Sequence, residues 1–578
     1  MQKYIFALFV LLGSLNPFAA YAQTSASELN REIQGMAPAE YYKISREAEL
    51  FLSKGNYAKA AESFEKLTKA FPFDGLKWRR LGFSLYQLKK YREAVEPFMK
   101  AHQFGSYEGA TLTSYYIAAN YARAGDTKNA LDWVEKAVID YHYPGKPSLL
   151  EDSAFESIKN EPRFLKLFNL PKREFSRDAG WRADLDYLLA EISRLNPVYG
   201  SGRQPLPAEF TRAAEKLKTD IPKLADHEIY FEMQHLLVLL GHTHNNLHAF
   251  LAGEKLNFKQ LPLTLHVFPE GLYIVNAEKD YEDLIGARVT HFDKTIVESA
   301  MKAVEYVIPR ENEMEVLWLA PDFLRIVQLL HALKLTEKSD RVNITIVDRT
   351  GKTRTVSPVP VAVQRRPKLT APRLANIAAP PLHLSKPDDE YWFEHLPEDK
   401  TVYFQFNQVS NKQGGESMNQ FSLRLRDFLA KNAVENLIVD LRRNNGGQTL
   451  FYNEMLRTLL DFDIAHPGKL FVIIGRNTFS ATGNFITDLS RLSNAVFVGE
   501  PSGAKPLLVG GDEASIVLPY SGASGSLSSS SWALTNPRDT RLWITPQIPV
   551  QLTAQDYFAN RDTVMETLLT ILREETKK

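Results

Sequence analysis

Ser480, Lys505 and the pair Gly446–Gly447 are the residues of this 578-residue chain whose chemistry and order point to catalysis. A serine hydroxyl attacks carbonyls once a base takes its proton, and a lysine amine is such a base only when burial brings its pKa down from ~10.4. Glycine lets a backbone N–H come close to a polarised carbonyl. Together these groups suggest acyl transfer. Ser480 follows Thr478-Phe479 and precedes Ala481-Thr482-Gly483, at a turn from strand to helix. Serine there is often only a helix cap, but the same place aims the N–H of Ala481 at a developing oxyanion. Gly446 and Gly447 suit a tight turn as well as an oxyanion hole, and both roles can hold together.

The elements that must position these groups surround them. LIVDLRRNNGG (437–447), KLFVIIGRNTFSATGNF (469–485) and AVFVGEPSGAK (495–505) are apolar runs that each end in small or polar residues, the pattern of parallel strands. Segments such as TLFYNEMLRTLLDF between them carry apolar residues at helical spacing. The unit therefore reads strand, helix, strand, helix, strand, and a site in such a sheet lies at the carboxyl ends of the strands. Those ends carry Gly446 and Gly447, then Ser480, then Lys505.

These residues resemble the tail-specific, or carboxy-terminal processing, serine peptidases, a family that includes the tricorn core protease. The family pattern is an IDLR-x-N-x-GG strand, a serine followed by small residues, and a GE-x-T-x-GK turn whose lysine lies twenty-five positions after the serine; Ser480 and Lys505 keep that separation. The resemblance runs from about Trp181 to the C-terminus and is strongest over 437–557, where EPSGAKPLLVGGDEASIVLPYSG and DTRLWITPQIPVQLTAQDY look like closing segments of the family. It implies a crotonase-like (ClpP-like) α/β peptidase core that needs no cofactor. Two positions depart from the pattern: Pro546-Gln547-Ile548 stands where relatives have Pro-Asp-Ile, and His242 where an aspartate often stands.

The base is open between two residues. In the processing branch of the family the base is a lysine, which corresponds to Lys505. In the tricorn branch it is a histidine, and anchoring LLGHTHNN on Leu240-Gly241 puts His244 at that position. The oxyanion donors implied are Gly446, Gly447 and Ala481. The rival class is a catalytically inactive peptide-binding or scaffold protein that keeps the fold.

The rest of the chain reads as modules. Lys plus Arg and Asp plus Glu both total 69, so no net field draws the chain to nucleic acid. Cysteine is absent, which excludes disulfides, thiolate metal sites and a cysteine nucleophile; His242 and His244 alone are too few for a metal. Residues 1–22 have the Lys3 charge, an apolar run and Ala20-Tyr21-Ala22 of a cleaved export signal, predicting a periplasmic or secreted protein with no membrane-spanning segment. In 41–170, GNYAKAAESFEKL, KKYREAVEPFMKA and GDTKNALDWVEKA align Ala60, Ala94 and Ala130 at separations of 34 and 36 residues, the tetratricopeptide period. Such an all-α solenoid offers a concave face for a protein partner, a spacer or dimerisation role being the equal alternative. A helical lead-in is expected over 176–250, a β-rich PDZ-like insert over 255–363, a proline-rich linker over 364–395 and the catalytic domain over 396–578, acting on protein or peptide substrates.

Overall fold

The structure, a computed structural model, describes residues 36–105, 109–141, 143, 145–167, 175–200, 203–252, 255–363, 380–506, 511, 513–530, 532, 534–536 and 538–576. The export signal expected at 1–22 lies outside them, as does the linker between 364 and 379. The chain divides into two compact units, Met1–Pro171 and Lys172–Lys578.

The first unit is helical. Helices Pro38–Ser53, Tyr57–Ala70, Gly75–Gln87, Tyr91–Phe104, Gly109–Arg123 and Thr127–Glu135 pack each against the next. Ala60, Ala94 and Ala130, the positions aligned by the repeats, are fully buried together with Phe64 and Phe98. Small side chains at these points let neighbouring helices close on the aromatic rings: a Cβ added at Gly82 would lie 2.8 Å from the Phe98 ring. Asn56 and Asp126 cap their helices by accepting from Lys59 N–H and Asn129 N–H.

The second unit is built on a six-stranded sheet with spatial order Tyr391–Leu396, Thr401–Phe406, Asn436–Asp440, Leu470–Ile474, Val496–Gly499, Ile548–Pro549. The first pair is antiparallel and the others are parallel. Alternate side chains leave a strand on opposite faces, and the sequence uses both. Phe404, Val439, Val472 and Phe497 pack against Phe421, Leu459 and Phe485 of the three crossover helices Met418–Lys431, Asn453–Ala465 and Ala481–Leu492. Tyr403, Ile438, Phe471 and Val498 pack against Met565 and Leu568 of the terminal helix Thr563–Thr576. Successive crossovers to adjacent parallel strands keep one hand, so the three helices share a face. The carboxyl ends of the strands are thereby left open.

Arg442 ties this edge to the terminal helix. Its guanidinium donates to both carboxylates of Asp440 and Asp562, and the His383 ring meets Asp562 at 2.8 Å. Burial alone would raise the Asp562 carboxyl, but Arg442 and His383 hold it well below the usual range.

Two sequence boundaries change. The stretch expected to be linker is structured from Leu382: His383 is buried and Tyr391–Leu396 forms an edge strand, because the alternating apolar side chains of YWFEHL complete the sheet. The lead-in and the insert are also not separate cores. The insert is an antiparallel sheet of Leu263–Phe268, Gly271–Ala277, Arg288–Phe292, Ile344–Val347 and Thr353–Val356, with Thr295–Ile296 paired beside it. Its Leu263, Ile274 and Ile346 share one hydrophobic cluster with Trp181, Leu188 and Tyr230 of the lead-in helices and with Ile516 and Leu527 of the hairpin Glu513–Ser528.

Among the described residues no helix is long and apolar enough to cross a membrane. Every hydrophobic cluster of the second unit is made from its own residues, so a chain starting at Lys172 is expected to fold without the first unit. Circular dichroism and a single cooperative melt of residues 172–578 check this; an aggregated or molten fragment would contradict it.

Candidate active site

The carboxyl edge of the sheet receives the loops that follow Asp440, Ile474 and Gly499, which carry Gly446–Gly447, Ser480 and Lys505. Ser480 stands at φ 53°, ψ −126°, immediately before the helix Ala481–Leu492. A positive φ at a non-glycine residue is a strained conformation of order 1–3 kcal/mol, retained only where the surroundings over-determine it. Its side chain makes no capping hydrogen bond. The helix-cap role is therefore not what the hydroxyl does. Ser480 Oγ lies 3.0 Å from His244 Nε2.

Gly446 shows what holds the serine. At φ +117° a Cβ there would meet Ser480 Cβ at 2.7 Å and both Ser480 Oγ and Ala481 N at 3.1 Å. The space it leaves empty thus adjoins the Ser480 hydroxyl and the first N–H of a twelve-residue helix, where the helix dipole favours negative charge. Gly447, at φ +139°, lies so close to Val409 that a Cβ would be 2.1 Å from its carbonyl oxygen. Val409 N–H donates to Gly446 O and Gln448 N–H to Val409 O, zipping the loop to the neighbouring strand's end.

The expected oxyanion donors differ in one respect. Gly446 N–H is already spent on Asn444 Oδ1 at 3.0 Å, because Asn444 turns its side chain back over the loop. Gly446 serves by its missing side chain instead. Ala481 N–H borders this empty space, and neither it nor Gly447 N–H has a hydrogen-bond acceptor among the described residues. Asn444 and Thr478 were not singled out by sequence, although Asn444 lies inside the quoted motif. Thr478 Oγ donates to Leu441 O and accepts from Gly475 N–H, stitching the two loops together.

His244 comes from the turn after the helix Asp226–Val238. The turn is pinned on several sides: Gly241 takes φ +74°, Asn245 N–H donates to His242 O, Ser526 Oγ donates to His244 O, and Ser528 N–H donates to Asn245 Oδ1. The imidazole packs against Phe479, the residue before the serine, with ring centroids 4.8 Å apart and the planes tilted by 30°. Burial, with a smaller contribution from His242, pushes its pKa down to about 4. It is thus neutral at neutral pH. For Nε2 to accept from the serine the ring proton must sit on Nδ1, and Nδ1 is buried with no acceptor among the described residues. Among the described residues no carboxylate orients this histidine directly.

Lys505 lies elsewhere in the site. Among the described residues no hydrogen bond joins it to Ser480; its charge acts on His242 and on the buried carboxyls of Glu311 and Glu315. Burial raises Glu315 to about 7, against hydrogen bonds from Thr243 and the backbone of Glu311 and Asn312. His242 is likewise depressed to about 4 by burial and then by Lys505. Glu311 and Glu315 carry no sequence signal beyond being acidic residues at the start of a helix. Beside the loop opens a cleft of about 510 Å³, lined by Asn445, Asn477, Asn407, Gln408, Trp318 and Asp389 among others. Among the described residues no cluster of ligands suited to a metal ion occurs.

No family model matches the chain, and no curated protein matches it. Among solved structures it is similar to mature CPAF complexed with lactacystin, at 14% identity, over 69% of this chain and 98% of that one, with a TM-score of 0.49. It is also similar to the photosystem II D1 C-terminal processing protease, at 15% identity over 69% of this chain and 98% of that one, TM-score 0.34. The tricorn protease matches at 13% identity, over 69% of this chain and 37% of that one, TM-score 0.33. Identities this low leave the chemistry to be derived from the chain's own residues.

The glycine contact is directly testable. Gly446→Ala should displace Ser480 or the loop and lower the rate of Ser480 acylation roughly 10²-fold, the cost of misplacing a reacting group by about 1 Å, while circular dichroism stays native. An unchanged acylation rate would show that the close approach does not matter.

Proposed function

We propose that this chain is a serine peptidase with Ser480 as nucleophile, His244 as general base, and the N–H groups of Ala481 and Gly447 as oxyanion hole. The observation that carries this reading is the 3.0 Å contact between Ser480 Oγ and His244 Nε2 at a serine held in a left-handed strand-to-helix turn. Such a sharp turn exposes a nucleophile at the top of a sheet. A helix cap needs none of this.

The steps follow from the geometry. Ser480 Oγ attacks the scissile carbonyl carbon, and its proton passes to His244 Nε2. The carbonyl oxygen takes the electron pair and is held by Ala481 and Gly447 N–H. The C–N bond then breaks as the imidazolium returns the proton to the departing amine, leaving an acyl-serine. Water, deprotonated by the same nitrogen, attacks that ester and releases the acid and the free hydroxyl. A base with a pKa of about 4 is fully available at neutral pH but weak, so positioning has to supply what basicity does not.

The amide-rich cleft beside the loop suits an extended peptide, whose backbone needs both donors and acceptors. The insert is assigned as PDZ-like and substrate-reading, and the helical first unit as a tetratricopeptide array for a protein partner; the repeat spacing and the buried alanines support the latter. Residues 1–22 support export.

Labelling with a fluorophosphonate, located by mass spectrometry, should modify Ser480 and be lost in Ser480→Ala. Absence of labelling in the wild type would favour the non-catalytic peptide-binding alternative. His244→Ala should lower turnover of a small ester ~10²–10⁴-fold, whereas Lys505→Ala should keep measurable turnover. The base works when unprotonated, so kcat/KM should rise with pH through about 4 and be flat across neutral pH, read as initial rates after a jump from pH 7. An alkaline rise abolished by Lys505→Ala would overturn the assignment and make the amine the base.

A further inference from the structure

Among the described residues the histidine has no carboxylate on Nδ1, yet its turn is gripped by one. The residue before it, Thr243, donates its hydroxyl to Glu315 Oε2 at 2.6 Å, and the same oxygen accepts Glu311 N–H at 2.5 Å. Glu315 is completely buried and sits on the helix Glu313–Phe323 of the insert. Three residues on, and so on the same face of that helix, Trp318 packs on Phe479 with ring centroids 5.7 Å apart. Phe479 is the ring against which His244 packs. At the helix start, Asn312 Nδ2 donates to both Gly503 O and Leu542 O at 2.7 Å, fixing the helix to the segment that ends in Lys505.

We infer that Glu315 is a positioning residue for catalysis: through its hydrogen bond to Thr243 it sets the turn that aims His244 at Ser480, so that the insert is part of the active site's framework. This rests on the peptidase reading above. The physical reason is that a ring lacking a partner on Nδ1 is free to rotate about its side-chain torsions unless its main chain and its stacking face are both fixed. Glu315 fixes the first and Trp318, by way of Phe479, the second. The grip needs an acceptor oxygen at Glu315, and Lys505 supplies the nearby positive charge.

The test compares Thr243→Val, Glu315→Leu and Glu315→Gln in the full chain, reading kcat and KM on a small ester together with the rate of fluorophosphonate labelling of Ser480. Thr243→Val and Glu315→Leu should each lower kcat and the labelling rate on the order of 10²-fold with KM little changed. Glu315→Gln keeps an acceptor oxygen and should stay close to wild type. The double variant Thr243→Val/Glu315→Leu should lose no more than the worse single one, because both remove the same interaction. Should Glu315→Leu fail to fold, Thr243→Val, which removes one hydroxyl, still decides. Wild-type labelling and kcat in Thr243→Val would overturn the inference, as would equal losses in Glu315→Gln and Glu315→Leu. A wild-type protein whose Ser480 does not label would instead sink the peptidase reading, so the two failures are distinct.

Discussion

The chain holds Ser480 Oγ 3.0 Å from His244 Nε2 across 236 residues of sequence, and much of the second unit is what keeping that distance requires. The serine is supplied by the carboxyl edge of a sheet packed on both faces. The histidine is supplied by a turn standing on the joint core of lead-in helices, insert and hairpin. Two such bodies stay in register only if rigid contacts cross between them. Asn312 on the Gly503 and Leu542 carbonyls, Arg476 paired with Glu500 and donating to Val267 O, and the ring contacts from Trp318 through Phe479 to His244 are among those contacts.

Unfavourable local features gather in this one place. Ser480 takes a left-handed backbone, His244 carries a buried ring nitrogen without a partner, and Glu311 and Glu315 are buried carboxyls four residues apart. A buried donor left unmade costs about 1–3 kcal/mol, and Glu311 is raised well above the ordinary carboxylate range by burial and by Glu315. In the two cores of the sheet and in the helical repeats local preference and tertiary role agree: Asn56 and Asp126 cap helices, and the sheet alternates its side chains between two cores. The combination of a strained serine, an unpartnered imidazole nitrogen and paired buried carboxyls at one cleft edge is what a functional site looks like.

The sheet and the turn that carries Ser480 were legible because their signals are local. Apolar runs ending in Gly446–Gly447, Ser480 and Lys505 state strand, turn and helix within a few residues of each other. The repeat alanines were legible for the same reason. The base was not, since choosing between Lys505 and His244 depends on burial and on which group the fold carries to Ser480. Glu315 was hidden because EMEVLWLAPDF reads as an ordinary helix with acidic residues in its first turn, and only the tertiary approach of Thr243 gives it a role. Gly446 was singled out but for the wrong atom, as nothing in the string NNGG tells that Asn444 takes its N–H. The edge strand Tyr391–Leu396 was hidden beside a proline-rich stretch whose composition outweighed six alternating residues.

The central claim is that His244, neutral and buried, accepts the hydrogen bond of Ser480. It is met most directly by NMR of the full chain carrying ¹⁵N-labelled histidine, with His244 assigned by difference from His244→Ala. The account predicts a ring that titrates at about 4, carries its proton on Nδ1 at pH 7, and shifts its Nε2 resonance in Ser480→Ala. A His244 that titrates near the ordinary ~6.5 and is indifferent to Ser480→Ala would contradict it.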